Sequence, residues 1–175
     1  TAYDRSGNGN NGAITGTSYT SGKWGSALKF TNGTSDGVLT TADISAYDNG
    51  LTMEAWIYWT GTAEGHIVEA APLQIFVSGN NIYFYGGSAY TSINPLITKN
   101  KWYHTAFVCN SIGHFIYING VLSSEAGNIS PCNITGTTSY IGKFYNGNYV
   151  FNGKIDEVKI YNYARTQKQI IEDMN

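Results

Sequence analysis

The sequence predicts an all-β chain, a two-sheet antiparallel sandwich or barrel closed by one short C-terminal helix. Three observations carry this expectation. The composition has 21 Gly, 14 Tyr, 7 Phe and 4 Trp with only 13% charged residues, which suits many strands joined by tight turns and opposes coiled coil or disorder. Within 102–125, WYHTAFVCNSIGHFIYINGVLSSE, Asn119-Gly120 follows an apolar run, and Asn-Gly best tolerates the positive φ that a type I′ hairpin turn requires. In the first strand of that stretch Trp102, His104, Ala106 and Val108 share one face while Tyr103, Thr105, Phe107 and Cys109 share the other. Neither face is polar, so the strand belongs at the centre of a sheet covered on both sides.

At 175 residues the chain forms one domain, 1–175, with a sizeable core. A net charge of −2 gives no electrostatic footprint for nucleic acid or an anionic membrane. No apolar run approaches the roughly 20 residues of a membrane-spanning helix, and no signal peptide is present. The start at Thr1-Ala2-Tyr3 reads as a cut from something longer. Cys109 and Cys132 either form a disulfide or remain two buried thiols, since their spacing matches no zinc or redox motif.

Residues 4–12, DRSGNGNNG, form successive turns. Their Asp and Asn side chains are also what a calcium ion takes, although Asp4 alone would not hold one. Strands are expected in 23–30, in 38–41 and in 51–59, where Leu51, Met53, Ala55, Ile57 and Trp59 alternate with Thr52, Glu54, Trp56 and Tyr58. Glu54 therefore sits among aromatics on a partly wet surface or at a core edge, and a paired structural carboxylate is the preferred account. Short strands follow at 66–70, 73–77 and 82–85, where Tyr83 and Tyr85 with Tyr90 make a cluster of aromatic hydroxyls that packing alone does not require. After a strand at 139–142, the loop Tyr145-Asn146-Gly147-Asn148-Tyr149 carries two exposed-looking aromatics. FNGKIDEVKIY, 151–161, is the last long strand and places Asp156 in apolar surroundings. Thr166 and Gln169 then make a capping box ahead of a short helix.

The segments DRSGNGNNG, GKWGSALKF, LTMEAWIYW, KWYHTAFV, FIYINGVL and FNGKIDEVKIYNYA, in this order, resemble the laminin G-like jelly roll, a concanavalin A-like sandwich related to pentraxins. The resemblance covers nearly the whole chain and is specific for the fold rather than for a ligand. It implies an all-β, two-sheet antiparallel jelly roll, and it lacks the strand that the family usually places ahead of the DxSGNG loop. It also implies a structural calcium held by Asp4, Asn10 or loop carbonyls, and Asp156. Relatives that hydrolyse β-glucans carry an ExDxxE run, which is absent here, as are GxSxG, HExxH and P-loop motifs.

These readings favour a non-catalytic extracellular or cell-surface binding module within a larger protein, with a glycan as its ligand. Aromatic rings stack on sugars while hydroxyl, amide and carboxylate groups meet sugar hydroxyls. The candidate residues are Trp59, His66, Tyr83, Tyr85, Tyr90, Tyr145 and Tyr149. The alternative is a structural or adhesive domain of a surface assembly, such as a pilin or phage fibre, that contacts protein. A glycoside hydrolase is the remote third.

Overall fold

The computed structural model describes residues 1–31, 33, 36–40, 44, 50–86, 90–92, 97–127 and 136–175. In chain order its first eight strands are β1 (Ala13–Thr15), β2 (Ser18–Ser21), β3 (Ser26–Thr31), β4 (Gly37–Thr40), β5 (Leu51–Trp59), β6 (Gly65–Ala70), β7 (Leu73–Ser78) and β8 (Asn81–Gly86). Then come β9 (Tyr90–Ser92), β10 (Trp102–Cys109), β11 (Gly113–Ile118), β12 (Val121–Gly127), β13 (Ser139–Ile141), β14 (Asn152–Tyr161) and the helix α1 (Gln167–Asp173). The first sheet has the order β1-β4-β13-β6-β7-β8-β9 and the second β12-β11-β10-β5-β14-β3-β2. All pairings are antiparallel, as expected of a jelly-roll sandwich.

Alternation decides the core. Leu51, Met53, Ala55, Ile57 and Trp59 of β5 join Phe107 and Cys109 of β10, and meet Ile67, Leu73, Ile75, Val77, Ile82 and Phe84 of the first sheet. The other face of β10 is covered too: Ala106 and Val108 pack against Ile170 of α1. The capping box holds this helix, with the Gln169 amide donating to Thr166 Oγ1 and the Thr166 amide donating to Gln169 Oε1 at 2.8 Å. The β11–β12 turn has positive φ at both Asn119 (49°) and Gly120 (75°), as the Asn-Gly signal required.

Glu54 resolves as a structural carboxylate. It is fully buried on the outer face of β5, with His104 Nε2 at 3.4 Å and Arg165 Nε at 3.7 Å. Arg165 also reaches Asp173 of α1 at 2.6 Å, and its backbone amide donates to Thr52 Oγ1. The tail and the helix are thus fastened to β5 from both sides of one arginine.

Three features were missed or left open by the sequence reading. The edge strands β1, β2 and β9 are three or four residues long and carry too little pattern to register. β14 is the expected long strand but is bulged: its register shifts between Asp156 and Lys159, where Glu157 has φ 48°, and this brings Lys159 opposite Glu54. Cys109 is buried and disulfide-bonded, while Cys132, the chain's other cysteine, lies outside the described residues.

Candidate ligand-binding face

The antiparallel register of β6, β7 and β8 lays side chains in rows across the outer face of the first sheet. One row runs His66, Phe76, Tyr83. The next runs Tyr140, Glu69, Gln74, Tyr85, and ends at the backbone of Tyr90 in β9. In the first row the rings lie nearly parallel: His66 to Phe76 is 5.2 Å at 13°, and Phe76 to Tyr83 is 5.1 Å at 10°. Offset stacking at this separation is a favourable geometry for aromatic pairs.

Residues 143–149 fold over the end of this row. The Phe144 amide donates to the Asn148 carbonyl and the Gly147 amide returns to Phe144, closing the loop on itself. It is then tied to β6 at two points, by the His66 amide donating to the Tyr149 carbonyl at 2.9 Å and the Tyr145 amide donating to Glu69 Oε2 at 2.6 Å. Tyr149 stacks on His66 at 5.7 Å and 23°, and Phe144 packs tilted against His66 at 4.9 Å. Tyr149 has φ 51°, a backbone conformation that bulky residues rarely adopt. Its carbonyl and ring are both engaged, which is how a packed loop maintains such strain. The outward result is a platform ending in Tyr149 at 49% and Tyr145 at 60% exposure.

The platform carries little charge. Burial pushes the His66 imidazole down to about 4, so it is neutral near pH 7. Its Nε2 lies 3.1 Å from Glu64 Oε1, and its Nδ1 is buried without a hydrogen-bond partner. Burial raises the Glu69 carboxyl to about 7 against the opposing pull of the Tyr145 amide, and raises Glu64 as well. A surface of rings, hydroxyls, one carboxamide and a carboxyl about half-protonated near pH 7 suits a polar ligand of little charge.

Of the sequence candidates, the structure brings His66, Tyr83, Tyr85, Tyr145 and Tyr149 to this face, with Tyr90 placed by strand register alone. His66 is 1% exposed and serves as the layer beneath the platform rather than its surface. Trp59 is a correction: it is 1% exposed in the core, its ring packs on Phe151 and its indole N–H donates to the Gly79 carbonyl at 2.9 Å. Its place in the alternation with Leu51 and Ile57 already carried that signal. Phe76, Phe144, Gln74, Tyr140 and Glu69 were missed. Phe76 and Gln74 follow from period-two alternation in LQIFVS, whereas Glu69 and Phe144 depend on where the 143–149 loop lands.

Asp4 and Asp156, the carboxylates expected to hold calcium, both accept hydrogen bonds from backbone amides. Asp4 accepts from the Ser6 amide, the Ser6 hydroxyl and the Asn10 amide, each at 2.8 Å, and these bonds, led by the Ser6 amide, lower its pKa. Asp156 Oδ2 accepts from the Lys23 and Trp24 amides at 2.8 and 3.1 Å, and Oδ1 from the Glu157 amide at 2.9 Å. Asp4 organises its own turn, while Asp156 gathers the distant Lys23 and Trp24 amides together with its neighbour Glu157. Calcium instead wants six to eight oxygens, and among the described residues no three His, Cys, Asp or Glu side chains are grouped to hold a metal.

A family model described as the concanavalin A-like lectin/glucanases superfamily, of laminin G type, matches residues 32–171. The chain belongs to this superfamily. No curated protein matches this superfamily member. Among solved structures, domain 4 of an extracellular family-43 arabinanase from Geobacillus stearothermophilus, in complex with arabinotriose, is 22% identical with a TM-score of 0.74, covering 98% of this chain and 92% of that one. The binding domain of botulinum neurotoxin DC, in complex with rat synaptotagmin II, is 17% identical with a TM-score of 0.75 over 98% of this chain. A structure of botulinum neurotoxin type C, whose cell entry depends on two ganglioside molecules, is 18% identical with a TM-score of 0.76 over 98% of this chain. The chain spans about half the length of these neurotoxin structures, 48% and 47%. At these identities the likeness is one of fold.

Two expected outcomes follow from the geometry. An acid whose pKa is raised on folding binds more protons in the native state, so its effect on stability is absent below the ordinary value of 4.5 and grows as pH rises towards about 7. Glu69→Gln retains an oxygen for the Tyr145 amide without the charge; its melting temperature should match the parent at pH 4 and exceed it at pH 8, and a difference that does not change with pH contradicts the burial account. Asp156→Ala orphans the Lys23 and Trp24 amides and should cost about 1–3 kcal/mol in chemical denaturation. The loss should be the same in EDTA as in calcium. A loss seen only with calcium present would assign the carboxylate to an ion.

Proposed function

We propose that this domain is a non-catalytic, glycan-binding module of a larger secreted or cell-surface protein, and that a neutral saccharide stacks on the outer face of the first sheet. The observation that carries the reading is the run of near-parallel rings from Tyr149 through the buried His66 and Phe76 to Tyr83, exposed at Tyr149, half-buried at Tyr83 and flanked by the exposed Tyr145. Sugar rings present apolar C–H faces to such platforms, while the Tyr hydroxyls and Gln74 can meet sugar hydroxyls. The saccharide complex of the arabinanase domain, which has nearly the same extent, and the ganglioside dependence named for a neurotoxin of the same fold support a sugar as ligand. The absence of an ExDxxE run supports a binding role, and Glu54 lies inaccessible beneath α1.

The test is a glycan array followed by calorimetry on Tyr145→Ala and Tyr85→Ala, with circular dichroism to establish that both remain folded. Each substitution removes a ring while leaving the backbone bonds of the face intact. Each is expected to weaken the array hit about tenfold, equivalent to about 1.4 kcal/mol. Unchanged affinity in both variants would move the site elsewhere, and an array with no hits would favour the adhesive, protein-contacting alternative.

A further inference from the structure

The second sheet carries a cleft on its own outer face that the aromatic platform does not use. Register sets Lys29 of β3 opposite Lys154 of β14, Lys154 opposite Tyr58 of β5, and Tyr58 opposite Trp102 of β10. The neighbouring row sets Thr31 opposite Asn152. Thr60 Oγ1 approaches the Asn152 carbonyl at 3.0 Å and its Oδ1 at 2.9 Å, so the carboxamide oxygen is engaged and the Nδ2 amide remains a donor. Lys29, Thr31, Tyr58, Thr60, Asn152 and Lys154 line a cleft of about 290 Å³.

The two ammonium-bearing side chains are the informative feature. Like charges placed directly opposite on adjacent strands are destabilising. Among the described residues the ion pairs engage Lys159, Lys168, Arg165 and two histidines, and neither Lys29 nor Lys154. Lys154 Nζ donates to the Ser21 carbonyl at 3.1 Å and stands 5.5 Å from the centre of the Tyr58 ring. An ammonium has three donors, so this leaves further N–H groups for a ligand. An anion between the two lysines would convert their repulsion into a shared attraction.

The rest of the lining narrows the anion's carrier. Tyr58 and Trp102 pack at 5.5 Å and 59°, giving the row a half-buried aromatic end. Thr31, Thr60 and Asn152 supply hydroxyl and amide groups. The volume lies at the lower end of small-molecule sites, about 300–1,000 Å³, and accommodates one ring with its substituent rather than a long chain. We propose that this cleft binds a single acidic sugar residue, its sulfate or carboxylate shared by Lys29 and Lys154, its hydroxyls meeting Asn152 and Thr31, and its ring lying beside Tyr58. The site is separate from the neutral platform on the opposite sheet and stands whether or not that platform binds sugar.

The experiment is titration of the chain, followed by amide shifts in NMR, with a sulfated heparin disaccharide, sialyllactose, lactose as the neutral control, and phosphatidylserine vesicles. One or both acidic saccharides should shift amides in β3 and β14, at least about tenfold more tightly than lactose at those amides. That affinity should fall as salt rises from about 50 to 300 mM, because exposed charges are screened. The two acidic ligands separate a sulfate site from a carboxylate site. Lys29→Gln with Lys154→Gln should abolish the shifts at a melting temperature no lower than the parent's, since the cross-strand repulsion is relieved, whereas Tyr145→Ala should leave them intact. Equal binding of lactose and acidic sugars, retention of binding by the double variant, shifts with vesicles alone, or no shifts at all would each overturn the proposal.

Discussion

Everything in this molecule answers to one constraint: β5 and β10 are buried on both faces, so the second sheet must be covered twice. The first sheet covers the inside. Outside, α1 lays Ile170 on Ala106 and Val108, and the cluster of Glu54, His104, Arg165 and Asp173 fastens the tail. The contacts to Glu54 are electrostatic at 3.4 and 3.7 Å, and neither carboxylate oxygen has a hydrogen bond. A buried pair of this kind adds little net stability, yet losing one partner costs about 3–5 kcal/mol because the other charge is left uncompensated. Glu54 and Arg165 therefore act as a condition on where the helix can dock more than as a source of stability.

The covering is partial on both sheets, and the uncovered parts are the surfaces proposed to meet ligands. On the second sheet, α1 covers Ala106 and Val108, whereas the row from Lys29 to Trp102 borders an open cleft. On the first sheet, the 143–149 loop encloses His66 and leaves the rings of Tyr145 and Tyr149 half or more exposed. The two openings differ in electrostatics. Burial keeps His66 neutral and raises the Glu69 carboxyl to about 7 on one side, while the other presents two lysines without acidic partners among the described residues. A sandwich with modest net charge can in this way offer a neutral and a cationic surface back to back.

What the sequence made legible was whatever is decided locally. The alternation in 51–59 and 102–109, the Asn119-Gly120 turn and the Thr166–Gln169 capping box depend on neighbours a few residues away, and each appears in the structure. The partner of Glu54 was not legible, because Arg165 is distant in sequence and meets it only after β14 bends at its bulge. The platform lay between these cases. Tyr83, Tyr85, Tyr145 and Tyr149 could be marked as more hydroxyl-bearing rings than a core accommodates, but their meeting requires β13 to pair with β6 and the following loop to fold back over it. Asp4 and Asp156 mark the limit of such reading, since a carboxylate among turn residues reads alike in sequence whether it faces a cation or a set of backbone amides.

The central claim is that the ring platform of the first sheet is the surface that meets a saccharide. The most direct measurement is selective observation of the tyrosine ring resonances while a neutral oligosaccharide identified by array is added. The account expects saturable shifts at Tyr83, Tyr85, Tyr145 and Tyr149, with Tyr19, Tyr58 and Tyr161 unmoved. Shifts confined to those last three rings, or saturable binding that moves no tyrosine of the platform, would contradict it.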